Sequence, residues 1–327
     1  MPGANQSLLT ASLKFLVDFF DPRIILCQSD MPRLFKIFKI FYLSWINLLF
    51  FVYRRKVRLK HYQSLHRFQL PVAELDCRLI SNCDQSPVNN LCRRCIDNYS
   101  KFYSSTSVSE FFKPFAPVPK ATLMAIKIGD YNDYGDYISN IRRSSFFLRK
   151  SNKSIKSGHY FQEFQYENFM PDIHKIRHSS EPRASSLPED PYLLTEEMLH
   201  KPPVTFKSIQ QPLCHLHFEK WFGIFIKDTG RRQGEVVVNQ KLIAYTRLRR
   251  IGNSIKYHEL IGDVEHLGSG CMALLHLEVM KMLFLKTDFY FTGVGYLTYN
   301  TLERGAEGLF FWKRKALFSP FKIQYVQ

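Results

Sequence analysis

A chain of 327 residues with 45% hydrophobic and 15% aromatic side chains has the material for a packed core, which excludes wholesale disorder. Its formal net charge of +16 is uneven: residues 1–70 carry 11 Lys/Arg against 3 Asp/Glu and residues 216–327 carry 16 against 10, while 71–120 (6 against 5) and 121–215 (12 against 11) are near neutral. Half of the surplus therefore sits in the first fifth of the chain, which points to an attachment segment for a membrane or another polyanion and argues against a uniformly basic binding domain.

Two apolar stretches lie in that segment. "SLLTASLKFLVDFF", from Ser7 to Phe20, reads as helix; "IFYLSWINLLFFVY", from Ile40 to Tyr53, is uncharged over 14 residues and runs into "RRKVRLK". A membrane span needs about 20 apolar residues, and extending the second run brings in Lys36 and Lys39. Core or lid helices and an interfacial helix touching anionic lipid through residues 1–60 thus stand ahead of a true span. No small-residue cleavage pattern follows either run, which argues against a signal peptide. Four of the seven cysteines, Cys77, Cys83, Cys92 and Cys95, cluster as C-x5-C-x8-C-x2-C. One C-x2-C hook is half a zinc site and C-x5-C is irregular, so buried reduced thiols in a reducing, cytoplasmic compartment are the reading ahead of zinc.

"FFKPFAPVPK" places three prolines in six residues and marks a boundary. The chain is accordingly divided into a basic apolar helical segment (1–70), a cysteine-containing segment with a Pro-rich linker (71–120), and a folded domain (121–327). In that domain "ATLMAIKI" reads as strand, "YGDYISNIRRSSFFLRKSNKSIKSG" as helix, "HYFQEFQY" as strand and "NFMPDIHKIRHSS" as a short helix. A loop rich in Pro and Ser follows, of the length that covers or lines a site. From residue 214 the strands "CHLHFEKWFGIFIKD", "VVV", "KLIAYTRLRRI" and "IKYHELIGDV" are joined by tight turns, an antiparallel meander. A helix at 271–286, a strand at 288–299, a helix at 301–318 and a strand at 320–326 complete the pattern. The expected fold is α/β of the α+β type: a mixed, mostly antiparallel sheet with flanking helices.

The passage "DVEHLGSGCMALLHLEVMKML" runs from strand through a glycine turn into helix. Gly268 can take a positive φ and Gly270 lets a backbone approach closely. The N–H groups of Gly268, Ser269, Gly270, Cys271 and Met272 are expected to lack intrahelical partners beside the positive end of the helix dipole, where a pyrophosphate fits. Gly262 is read as a bulge that parts neighbouring strands. A plain capping turn explains the same glycines.

This arrangement resembles the GCN5-related N-acetyltransferase (GNAT) superfamily, whose acyl-CoA loop follows the fourth strand with the pattern [QR]-x-x-G-x-[GA]. Here Glu265 stands where Gln or Arg is usual, and both glycines match. The ending "GLFFWKRKALFSPFKIQYV" looks like the last helix and strand of such proteins, with Ala316-Leu317-Phe318 in place of the usual Gly-Phe. "ISNIRRSSFFLRKSNKSIKSGHYFQEF" is similar to the basic helix of FemAB-type transferases, so the resemblance covers about residues 121–327.

The resemblance implies acyl or aminoacyl transfer from an acyl-CoA or aminoacyl-tRNA donor to an amine by direct attack, with the donor phosphates at Gly268–Met272. Direct attack needs a base, a polarising N–H and an acid. Strand alternation puts His258 and Leu260 on one face and Tyr257, Glu259 and Ile261 on the other. Glu259 is the first choice for base and His258 the second, with Tyr299 near where such enzymes keep an acid. The customary tyrosine of the last helix is replaced by Phe310, Phe311 and Trp312. A catalytically inactive protein of the same fold, acting as a membrane- or nucleic-acid-associated module, is the alternative. His215 and His217 alternate on a strand as a metal pair would, but no acidic third ligand is in view, and Cys271 at a helix start has a thiol whose pKa could fall.

Overall fold

The computed structural model describes residues 51–62, 70–76, 83, 92, 96, 122–142, 146–179 and 203–326. The chain divides into two compact units, Met1–Tyr53 with Ser107–Pro117, and Arg54–Thr106 with Val118–Gln327. Of the first unit only residues 51–53 are described, and they are helical. The apolar stretches before residue 51, the Pro-rich boundary and the Pro/Ser loop at 180–202 lie outside the described residues. Among the described residues no helix is long and apolar enough to cross a membrane.

The second unit is built on an eight-stranded sheet in the order β1-β10-β2-β9-β8-β7-β4-β3. Its strands are β1 (Val72–Asp76), β2 (Leu123–Lys127), β3 (Tyr160–Glu163), β4 (His217–Lys227), β7 (Gln240–Ile251), β8 (Ser254–Gly262), β9 (Tyr296–Thr301) and β10 (Ser319–Val326). A small hairpin of β5 (Arg232–Gln233) and β6 (Val236–Val237) replaces the expected "VVV" strand. Five of the seven pairings are antiparallel; β8–β9 and β1–β10 are parallel. The expected mixed, mostly antiparallel sheet with flanking helices is therefore observed. β1, before the Pro-rich passage, adds a parallel edge strand along β10.

Among the described residues the helices that flank the sheet include α1 (Tyr134–Arg142), α2 (Phe146–Lys156), α3 (Met170–His178), α4 (Cys271–Leu285) and α5 (Glu307–Lys315). The first two fall within the single helix expected over 134–158; residues 143–145 between them lie outside the described residues. Nine of the fifteen residues of α4 are buried, and a helix apolar on every side belongs inside a core. With Tyr137 of α1 and Phe147 of α2 it forms one core on one face of the sheet. On the other face α3 packs Ile173 and Ile176 against Trp221, Phe225 and Tyr245. The strand expected over 288–299 begins only at Tyr296, because Asp288 accepts from the Tyr290 N–H and starts a 3-10 turn, and Gly293 follows at φ +75°.

Candidate functional site

Strands β8 and β9 are parallel neighbours joined through α4, and they stay in register for only three residues: Ser254, Ile255 and Lys256 opposite Tyr296, Leu297 and Thr298. Beyond that no pairing joins them, although β8 continues to Gly262 and β9 to Thr301. Backbone groups at such a parting are left to a ligand, a side chain or water. A bulge accompanies it: Arg247 faces Glu259 and Leu248 faces Tyr257, leaving His258 as the extra residue. The bulge expected at Gly262 thus lies four residues earlier.

The bulge also overturns the expected sharing of a face by Tyr257 and Glu259, because an extra residue resets the period-two alternation. The Tyr257 ring lies in the core with α4, and its hydroxyl is 2.9 Å from His276 Nδ1. Glu259 turns to the α3 side and is buried. Its carboxylate accepts from Arg177 at 2.8 Å to each oxygen, from the Tyr245 hydroxyl at 2.7 Å and from Arg247 at 3.3 Å. Arg247 continues to Glu219 at 2.9 Å, and Arg249 joins the same carboxylate. Although burial opposes ionisation, the Arg177 and Arg247 guanidiniums hold the Glu259 carboxyl below its ordinary range. A carboxylate held this way is a weak proton acceptor, which disfavours the expected role of base. His258, at the bulge, is half-buried.

The helix start differs from expectation in the same local way. Residues Val264–Ser269 coil as a 3-10 helix, and the Gly270 N–H donates to Leu267 O at 3.4 Å, so the five amides are not all bare. Gly270 has φ +91°, and a Cβ there would lie 2.1 Å from the Lys150 carbonyl oxygen. The close approach that this glycine permits is made by α2 of the same chain. Gly268 is exposed, with open space where a Cβ would go, and its carbonyl accepts from Lys153 Nζ at 2.9 Å. The Ser269 hydroxyl donates to His266 O at 2.6 Å, and Met272 packs beside Gly262. Cys271 is buried, and burial pushes its thiol up to about 11, contrary to the fall expected of a helix-start cysteine. Lys241 Nζ lies 3.2 Å from His266 Nε2 and Lys175 Nζ donates to Glu265 at 3.1 Å, so with Lys153 three lysines border the 3-10 turn.

Beneath the parting runs a buried polar chain that sequence reasoning missed. His276 of α4 is fully buried, with Nε2 2.8 Å from the Tyr137 hydroxyl and Nδ1 2.9 Å from the Tyr257 hydroxyl. Tyr137 donates to Ala316 O at 3.1 Å, so it must accept from Nε2–H, which leaves Nδ1 to accept from Tyr257. Every group is satisfied, and burial holds the imidazole neutral by lowering its pKa to about 3. Replacement of Tyr137 by Phe is expected to cost about 1–3 kcal/mol, because it orphans both Nε2–H and the Ala316 carbonyl. Chemical denaturation of the two proteins measures this directly.

Tyr299 of β9 sits at the parting in edge contact with Tyr257, ring centroids 5.5 Å apart. Lys313 of α5 lies 5.3 Å above its ring, is buried, and donates to Thr301 O at 2.9 Å. Burial, reinforced by Arg58, brings its ammonium down to about 7. Hydropathy could not reveal this lysine, which lies in an ordinary basic run, "WKRK". Part of the basic flank read as lipid-facing also turns inward. Arg58 is buried and donates to Leu302 O, Gly305 O and Glu307 Oε1, each at 2.8 Å, and Arg55 lies 3.7 Å from Glu303.

Two features lie away from the parting. A concavity of about 240 Å³ at the β7–β8 turn is lined by Asp76, His215, Arg250, Asn253 and Phe289, and its arginine is already committed to the carbonyls of Gly252, Tyr290 and Thr292. His215 lies in a tilted ring contact with Phe289, whereas His217 turns inward beside Cys83, Cys92 and Cys214. The structure thus separates the two histidines read as a pair and places Cys83 and Cys92 beside Cys214; Cys77 and Cys95 lie outside the described residues.

No protein-family model matches the chain, and no curated protein matches it. Among solved structures it is similar to the C-terminal domain (DUF2156) of a protein described as a lysylphosphatidylglycerol synthetase from Agrobacterium fabrum, at 11% sequence identity and a TM-score of 0.36. The similarity spans 62% of this chain and 57% of that one, so the chain covers little more than half the length of its neighbour. A superposition this loose carries neither residue roles nor chemistry from one protein to the other.

Proposed function

We propose that this protein transfers an acyl or aminoacyl group from a phosphate-bearing donor, an acyl-CoA or an aminoacyl-tRNA, to an amine by direct attack. The observation that carries the reading is the parting of β8 and β9 after Lys256, with the bulge at His258, the exposed glycine turn at Gly268 and the tyrosine–lysine pair at β9 around it. The donor's phosphates would lie at the Gly268–Met272 turn between Lys153 and Lys241, and its reactive carbonyl along β8 beyond Lys256, where β8 no longer pairs with β9. His258 is left as the nearer candidate for base, since Glu259 is committed to two arginines. Tyr299 is the candidate acid for the departing group, with Lys313, whose proton is labile near neutrality, beside it.

Gly268→Asp tests the seat without disturbing the fold, because nothing lies within 4 Å of the added Cβ. It puts a negative charge where the donor's phosphates would sit. Titration with acetyl-CoA and with a total aminoacyl-tRNA pool is expected to show binding of one of them, weakened about tenfold by this change, roughly 1.4 kcal/mol, at unaltered melting temperature. Absence of binding and discharge for both donors, or an unchanged affinity in the variant, overturns the reading. Binding without discharge in the presence of amines would favour the inactive module.

A further inference from the structure

Three thiols and an imidazole converge where the chain enters β4. Cys83 Sγ lies 3.8 Å from Cys214 Sγ and 3.2 Å from His217 Nδ1, and Cys214 Sγ lies 3.5 Å from the same nitrogen. With Cys92, the four ligand atoms all fall within 4.8 Å of one another, and all four residues are buried. The cysteines are free thiols. We propose that Cys83, Cys92, Cys214 and His217 form a structural zinc site that ties the segment after β1 to the start of β4.

Tetrahedral zinc with Zn–S of about 2.3 Å and Zn–N of about 2.0–2.1 Å requires S···S edges near 3.8 Å and S···N edges near 3.6 Å. The observed edges of 3.8, 3.5 and 3.2 Å already approach that figure. The ligands come from separate stretches of chain, and the last two form a Cys-x2-His hook at residues 214–217. Among the described residues the local cluster consists of the three cysteines with partly buried Leu216.

Charge points the same way. Arg250 is buried, and among the described residues its guanidinium bonds only to the carbonyls of Gly252, Tyr290 and Thr292. Three thiolates around Zn²⁺ leave a net charge of about −1, which offsets that buried cation. Four protein ligands close the coordination sphere, so the metal acts on folding and not on substrate.

The test uses the full chain without a polyhistidine tag. Elemental analysis is expected to find one zinc per chain, and X-ray absorption on the same sample three sulfurs near 2.3 Å and one nitrogen near 2.0 Å. His217→Cys should keep the metal with four sulfurs, whereas Cys214→Ser should lose it. Should Cys214→Ser fail to fold, the wild-type absorption spectrum decides alone. Protein that stays metal-free after growth and purification with added zinc overturns the proposal. So does iron with visible absorption in place of zinc, or four sulfurs in the wild-type spectrum, which would remove His217 from the site.

Discussion

Gly270→Ala is expected to destabilise the second unit by about 3 kcal/mol, of which roughly 1–2 is the cost of a left-handed backbone for an L residue and roughly 1–3 that of overpacking. The methyl group would meet the Lys150 carbonyl oxygen at 2.1 Å, and a backbone atom in α2 cannot swing aside as a side-chain tip would. α2 packs along α4, so the strain must either part the two helices or unwind the first turn of α4. Gly268→Ala two residues earlier meets open space at an ordinary φ and is expected to change stability by less than about 0.5 kcal/mol. Thermal denaturation of the two variants side by side measures the contrast. Equal melting temperatures would mean that α2 does not approach the helix start. The comparison bears on function as well: loss of donor binding in a Gly270 variant would report a displaced helix, which is why the test of the phosphate seat is placed at Gly268.

The elements were legible in the sequence wherever burial imposed a clean period. β4, β7 and β8 are long, apolar and bounded by turn residues, and α4 is apolar on every side, so their places and types follow from patterning. The candidate site was legible as a location and not as a set of roles. "HLGSG" marked the turn, but which neighbour uses the close approach at Gly270 depends on α2, over a hundred residues away in sequence. The bulge at His258 is invisible in "KYHELIG" because a bulge is a property of pairing with β7, and one extra residue was enough to send Glu259 to the opposite face from Tyr257. Buried polar groups failed most often. His276, Lys313 and Arg58 each sit in a sequence context that reads as ordinary helix, and only their partners on distant segments explain their burial. Spacing along the chain pointed to Cys92 with Cys95, which lies outside the described residues, and could not show that Cys214 and His217, far along the chain, stand beside Cys83 and Cys92.

Glu259→Ala is expected to cost about 3–5 kcal/mol, the figure for removing one partner of a buried ion pair. Arg177 and Arg247 are both buried, and each loses a carboxylate that it cannot exchange for water. Tyr245 loses the acceptor of its hydroxyl as well. The network spans α3, β7 and β8, so its failure should loosen the α3 face while leaving the α4 core intact, visible as hydrogen exchange confined to α3 and the facing strands. Glu259→Gln separates this role from that of a base. It keeps the volume and an acceptor for Tyr245 but removes the charge, so a positioning carboxylate predicts lower stability with turnover falling only as folded protein is lost. A catalytic base predicts the reverse: stability retained and turnover abolished. The acid limb of the stability curve supplies an independent reading. The folded carboxyl titrates below its ordinary value, so the unfolded chain binds the proton more readily as pH falls. The contribution of Glu259 is then fully present above the unfolded value of about 4.3 and disappears as pH drops through the lower folded one. In Glu259→Gln that portion of the slope should vanish; an unaltered slope below pH ~4 would mean that the two guanidiniums do not hold this carboxylate.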